Sequence, residues 1–187
     1  MKYLQNDTIT LRALEPEDLE YMYKWENDTT LWSVSNNVEP YSKYMLREYI
    51  NYSQNTIYDK LQLRLIIEVK KKTATVDNIV VGAIDLFDFD IHHKRAGVGI
   101  VIDKDYRQYG YGGQALELLA KYAFGHLQLN QIYVHIPTDN KASIALFASQ
   151  GFCSAGILKE WVHTGEGFAD VEVMQLRNIN LSEENQN

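Results

Sequence analysis

Cysteine is nearly absent: Cys153 stands alone in 187 residues. No internal disulfide can form, and no Cys/His cluster has the spacing of a zinc site, so no metal is expected. No stretch approaches the roughly 18 apolar residues that a membrane span requires. Positive charge is also short, since 18 Lys and Arg against 25 Asp and Glu leave a formal net charge of −7. A general nucleic-acid binder needs a basic face to displace counterions from phosphates, and that class is disfavoured. An acidic surface instead attracts cationic partners such as amines. The opening "MKYLQNDTITLRAL" alternates and carries Asp7, unlike a secretory leader. The expected compartment is a reducing cytoplasm.

What is present reads as one globular domain over residues 1–180, with "LSEENQN" (181–187) as a loose tail that has nothing to bury. "TITLRAL" (8–14) alternates as a strand does. Pro16, Glu17 and Asp18 then mark a helix start, with Leu19, Met22 and Tyr23 as its apolar stripe. A second helix begins near Ser42 and turns Met45, Leu46, Tyr49 and Ile50 to one side. Strand-like runs follow at 61–69, 79–89 and 96–102, and their short connections imply antiparallel neighbours. The pattern then changes to a helix (112–127), a strand (131–136) and a shorter helix (140–150) stopped by Gly151. Such a crossover makes part of the sheet parallel. Two more strands, near 153–162 and 170–177, complete a mixed α/β sheet with helices on both faces.

Between the 96–102 strand and its helix lies "DKDYRQYGYGGQA", with Gly110, Gly112 and Gly113 in four positions. Free N–H groups at a helix start, bare backbone and the forked cation of Arg107 suit a phosphate. A plain tight turn would need only one glycine. "GYGGQA" also matches a dinucleotide fingerprint, with Asp139 further along. In that motif, however, the strand enters the first glycine almost directly. Here seven residues intervene and a meander comes first. A P-loop is excluded, because no Gly-Lys-Ser/Thr follows.

"RQYGYG" resembles the Arg/Gln-x-x-Gly-x-Gly/Ala signature of the GNAT superfamily of acetyl-CoA-dependent N-acetyltransferases. "TDNKASIALFASQGF" is similar to that family's Asn-x-x-Ala/Ser helix ending in Gly-Phe. "WVHTGEGFADVEVMQL" and "LRALEPEDLEYMYKW" resemble the closing hairpin and opening strand and helix of its ribosomal-protein N-terminal and spermidine N-acetyltransferase branches. The likeness covers roughly residues 8–177. It implies a mostly antiparallel sheet splayed at the cofactor site, with acetyl-CoA as co-substrate. Arg107, Gln108, Tyr109 and Gly110 would wrap the pyrophosphate together with Tyr111, Gly112 and Gly113. The strand through Ile100, Val101 and Ile102 would pair with the pantetheine arm like an added strand. The Ile102 N–H would polarise the thioester carbonyl. Asn140 would hold the pantetheine, or serve only as a helix N-cap. Family members often dimerise.

Transfer to a primary amine needs a deprotonated amine, a polarised carbonyl and a proton for the leaving thiolate. Direct attack needs no protein nucleophile, so Cys153 is expected in the core. Alternation places Asp85 on one face with Val81, Ala83, Phe87 and Phe89, where a carboxylate must be paired, protonated or working as the base. Tyr133 and His135 share a face of the 131–136 strand, either lining the cleft, where His135 could shuttle a proton, or sitting on a solvated sheet face. Relatives carry a tyrosine acid four residues after the Ser143 position; Phe147 stands there in this chain, which leaves Tyr133, Ser143 or a water for that task. It also keeps a non-catalytic coenzyme A sensor open beside the dinucleotide oxidoreductase. For the acceptor, Glu26, Asp28, Glu39 and Glu48 beside Trp25, Trp32, Tyr41 and Tyr44 suit a cradle for an ammonium. A polyamine, another small cationic amine or a peptide N-terminus is expected.

Overall fold

A computed structural model describes residues 3–32, 37–71, 78–165 and 167–179. The 180 boundary, the 181–187 tail and most of the "KKKTATVDN" turn lie outside these residues. One seven-stranded sheet organises the chain: β1 (Ile9–Ala13), β2 (Leu63–Val69), β3 (Ile79–Asp90), β4 (Arg95–Ile102), β5 (Gln131–Pro137), β6 (Cys153–Thr164) and β7 (Gly167–Arg177). Spatial order is β1-β2-β3-β4-β5-β7-β6. Every neighbouring pair is antiparallel except β4 with β5. That single parallel pair is the expected crossover, and it removes the doubly wound sheet on which the dinucleotide alternative depends.

Alternating side chains divide the core between the two faces. Leu65 and Ile67 of β2 join Ala115, Leu116 and Leu119 of α4 (Tyr111–Gly125) and Phe147 of α5 (Lys141–Ser149). Ile66, one residue out of phase, joins Met22 and Trp25 of α1 (Leu19–Glu26) and Leu46 and Ile50 of α2 (Lys43–Tyr52). Helices thus cover both faces, as expected. A short helix α3 (Ile57–Lys60), not legible in the sequence, ends at Leu61 in the left-handed region (φ 52°), so β2 starts at Leu63 rather than at 61. Tyr23 and Met45, expected in apolar stripes, are exposed; Tyr23 instead lies under the Lys43 ammonium, 5.2 Å from the ring centre.

Strict alternation fails along β3. The β2–β3 register shifts between Ile67 and Glu68, and Asp88 has φ 47° where the β3–β4 register slips. Each irregularity inserts a residue and reverses which face follows. Val81 and Phe89 therefore join the α4 side with Ile84 and Leu86, while Ala83 packs on the α1 side. The expected five-residue face around Asp85 does not exist as one face.

Cys153 corrects a second expectation, for it is exposed. It opens β6, the outer strand of the sheet, which has a neighbour on one side only and is exposed along most of its length.

Candidate active site

The β4–β5 ladder contains only Arg95↔Gln131, Ala96↔Ile132 and Gly97↔Tyr133. Beyond Gly97 the strands part: β4 stays paired to β3 as far as Ile102, and β5 stays paired to β7 as far as Pro137. The Asp103 N–H donates to the Val81 carbonyl, 2.8 Å. By the two-residue period of an antiparallel ladder, Val101 and Gly99 also aim their backbone groups at β3. Ile100 and Ile102 aim theirs the other way, into the gap. The Ile102 carbonyl indeed accepts from Arg107 Nε across 3.1 Å. Apart from that bond, this stretch of β4 has no partner strand on the gap side among the described residues, the arrangement that an added strand requires.

At the head of the gap, a 3-10 turn (Lys104–Tyr106) leads into α4, whose N-cap is Gly110 at φ 79°. A side chain at that φ costs about 1 kcal/mol or more, so the backbone favours glycine there. Gly112 and Gly113 have no such need. A Cβ at Gly112 would meet Leu146, Ile102 and Ile100 at 3.4–3.8 Å, and one at Gly113 would touch only the flexible end of Gln150 closer than that. The protein's own packing thus tolerates a methyl group at both. Arg107, Gln108, Tyr109 and Gly110 are exposed, Tyr111 is half-buried, and the Tyr109 and Tyr111 rings stack 5.8 Å apart. First-turn amides of α4 have no intrahelical acceptor and point outward.

A cleft of about 300 Å³ adjoins this turn, lined by Lys24, Trp25, Asp28, Leu31, Val101, Ile102, Asp103, Lys104 and Arg107. Three cations against two acids favour an anion. Asp103, only 6% exposed, accepts from Lys24 Nζ at 2.6 Å and from Trp25 Nε1 at 3.1 Å, which pins α1 to the end of β4. Burial alone would raise its carboxyl, but these hydrogen bonds outweigh that and hold it below the usual carboxylate range. Asp28 is also held low, chiefly by its bonds from Thr30 and secondarily by Lys104 and Arg107.

Asp85 is paired. Its two oxygens accept from Arg64 Nε and Nη2 at 2.7 and 2.8 Å, and Arg64 Nη1 donates to Glu26. With both oxygens engaged by a guanidinium, the carboxylate has the character of a counter-ion, not of the free base entertained from alternation. Glu26 is likewise engaged, by Arg64 and by Asn37 Nδ2 at 3.0 Å, so it does not offer the acceptor an unpaired charge. Trp32 is half-buried and donates through Nε1 to the Glu26 carbonyl; Glu39 is exposed. Residues 33–36 lie outside the described chain.

Arg64 is the residue that sequence reading missed. Its signal was a guanidinium in the middle of the apolar run "LQLRLIIEV", but only the register that sets Arg64 opposite Asp85 discloses the partner. Tyr133 and His135 do lie on the face opposite α4, while Ile132, Val134 and Ile136 are buried beneath it, as the period of two requires. The Tyr133 and His135 rings meet edge to face at 5.5 Å. Burial first, and Asp88 second, raise the Tyr133 phenol, so it stays protonated through neutral pH.

Asn140 takes the role of helix cap: its Oδ1 accepts from the Ser143 N–H at 3.1 Å. Phe147 is 2% exposed and packs edge-on against Phe152, 5.0 Å between centres. That ring belongs to the core.

Residues 8–153 match the family model described as an acetyltransferase (GNAT) domain. The chain belongs to that family. It is an acyltransferase of the GNAT type. The spermidine N(1)-acetyltransferase of Vibrio cholerae is 26% identical over 181 residues, covering 95% of this chain and 99% of the relative. The crystal structure of spermidine N-acetyltransferase from Vibrio cholerae in complex with CoA and spermine superposes with a TM-score of 0.81 at 26% identity, covering 92% and 96% of the two chains. A dodecameric structure of that organism's enzyme, in an intermediate state, gives 0.74 at 26% identity over 92% and 95%.

Proposed function

We propose that this acetyltransferase moves the acetyl group of acetyl-CoA to a primary amine by direct attack in a ternary complex, with a polyamine or other small cationic amine as acceptor. The unpaired β4 edge carries this reading. An extended pantetheine arm fits against Ile100 and Ile102, and its pyrophosphate reaches the α4 amides, Arg107 and the cation-rich cleft. The Ile102 N–H then faces the thioester carbonyl and stabilises the oxyanion that forms on attack. A neighbour of this fold is in complex with CoA, which supports coenzyme A chemistry here.

Charge divides the site by task. The cleft at Arg107 carries the excess of cations. The Glu26, Arg64 and Asp85 cluster under α1 sums to one negative charge and lies on the face that Tyr133 and His135 share. A cationic amine is drawn to that second side. Its ammonium, with a pKa near 10, must lose a proton before attack, by way of His135 or a water chain. Tyr133 holds a proton that it can give to the departing thiolate. Similarity to spermidine N(1)-acetyltransferases, and the spermine in one neighbour's complex, support a polyamine. Self-association belongs to the same reading, since a neighbouring enzyme is dodecameric.

The test is acetyl-CoA with spermidine, spermine, small monoamines and short peptides, read as thiol release with the products identified by mass. Saturable turnover with polyamines above peptides is expected. Turnover on peptide N-termini alone would overturn the acceptor assignment. Tight acetyl-CoA binding with no acceptor turned over would establish the sensor alternative.

A further inference from the structure

The Arg64 side chain touches β3, α1 and α2 together. Its Nε and Nη2 grip both oxygens of Asp85 on β3. Its Nη1 reaches Glu26, the last residue of α1, and lies 3.5 Å from the Met22 sulfur one turn earlier. Its guanidinium faces the Tyr49 ring of α2 at 5.4 Å. The side chain is 16% exposed, as are its partners to within a percentage point. The carboxylates hold the guanidinium in its charged form against the opposing effect of burial, and its pKa lies well above its ordinary value.

The location of this grip matters more than its strength. Asp85 pairs in register with Gly99, and a Cβ at Gly99 would lie 3.6 Å from Asp85 Oδ2. Gly99 precedes Ile100, whose backbone borders the gap. Asp85 therefore sits one strand from the bound thioester, and Arg64 transfers that position to the two helices above.

We propose that Arg64 is a positioning residue: it sets the acceptor-side helices α1 and α2 at a fixed height over β4, and Asp85 is its counter-ion rather than the base. This inference rests on the acetyl-transfer reading for its kinetic consequence, but its structural consequence can be measured without turnover. Lysine keeps the charge and loses the fork, because one ammonium cannot hold both oxygens of Asp85 and reach Glu26 in the same geometry.

The test compares Arg64→Lys, Glu26→Gln, their double variant and Asp85→Asn in the full chain. Hydrogen exchange of α1 amides is expected to speed up at least five-fold in Arg64→Lys, with β1 and α4 amides unchanged. KM for the amine is expected to rise five- to twenty-fold in Arg64→Lys, while KM for acetyl-CoA stays within two-fold. Glu26→Gln should raise the amine KM alone, yet add less than two-fold on top of Arg64→Lys, because it acts through that residue. Asp85→Asn should leave the shape of the pH profile of kcat/KM intact.

Multiplying effects of Arg64→Lys and Glu26→Gln would mean that Glu26 meets the acceptor itself and would overturn the proposal. So would unchanged α1 exchange, or an acidic limb lost from the pH profile in Asp85→Asn, since a general base acts only once deprotonated. Should α1 loosen as expected in a protein that turns over no amine, the clamp stands and the acetyl-transfer reading falls.

Discussion

Gly97 is the last residue of β4 paired to β5, and the Phe87 ring lies directly over it. A Cβ there would stand 2.6 and 2.9 Å from Phe87 Cζ and Cδ2, and closer still to Cε2. Carbon atoms prefer about 3.5–4.0 Å, so in Gly97→Ala the ring must withdraw by on the order of 1 Å. Overpacking of this kind costs about 1–3 kcal/mol. Gly97 is not among the glycines with positive φ, so alanine fits its backbone and recovers roughly 0.4–1 kcal/mol from the less flexible unfolded chain. Taking the middle of each range, the net loss is about 1.3 kcal/mol, which in a domain of this size lowers Tm by roughly 3–5 °C. Phe87→Ala removes the opposing ring, so the double variant should lose at least about 1 kcal/mol less than the sum of the two singles. Thermal and urea unfolding of the four proteins measure this coupling. Additive losses, or a Gly97→Ala protein as stable as the parent, would refute the argument that the ring dictates the glycine. Because Phe87 borders Asp85 and Gly99, the displaced ring should also raise the amine KM while leaving that of acetyl-CoA unchanged.

Asp103 should give a pH signature. Its folded pKa is depressed, so the stability it contributes is present above the unfolded value near 3.9 and is lost as pH falls through the folded value. Asp103→Asn keeps an oxygen for Trp25 Nε1 but loses the ion pair to half-exposed Lys24, at a cost of about 1 kcal/mol near neutrality. In urea titrations the gap between parent and variant should narrow below about pH 4; a constant gap would refute the assignment. At the leaving-group side, Tyr133→Phe should lower kcat by about 10²-fold if its phenol supplies the proton. Phe147→Tyr should cost about 1–3 kcal/mol for a hydroxyl buried beside Phe152 and bring no faster turnover. A ten-fold rise in kcat on that change would return the acid to position 147.

Much of this architecture was legible from residue patterns because its causes are local. Glycine density before a helical run marked the turn that enters α4, and the change from strand meander to strand–helix–strand marked the one parallel pair. The period of two placed Ile132, Val134 and Ile136 in the core and left Tyr133 and His135 outside it. Even the alternative reading of Asn140, a cap, depended only on the residues beside it.

The candidate site depended on more distant relations. Two irregularities in β3 redistributed the side chains around Asp85, and no local pattern announces a residue that two strands fail to match. The Arg64–Asp85 pair spans 21 positions and the Lys24–Asp103 pair 79, so their charges meet only because the sheet sets one register and α1 is folded over it. Exposure of Cys153 followed from β6 being the outermost strand, which strand order decides and composition does not. The amino-acid sequence determined which segments become strand, helix and turn, since backbone sterics and side-chain period act within a few residues. Tertiary structure alone decided which carboxylate is neutralised and where β4 leaves β5, since pairing of buried charge and backbone is settled between segments far apart in the chain.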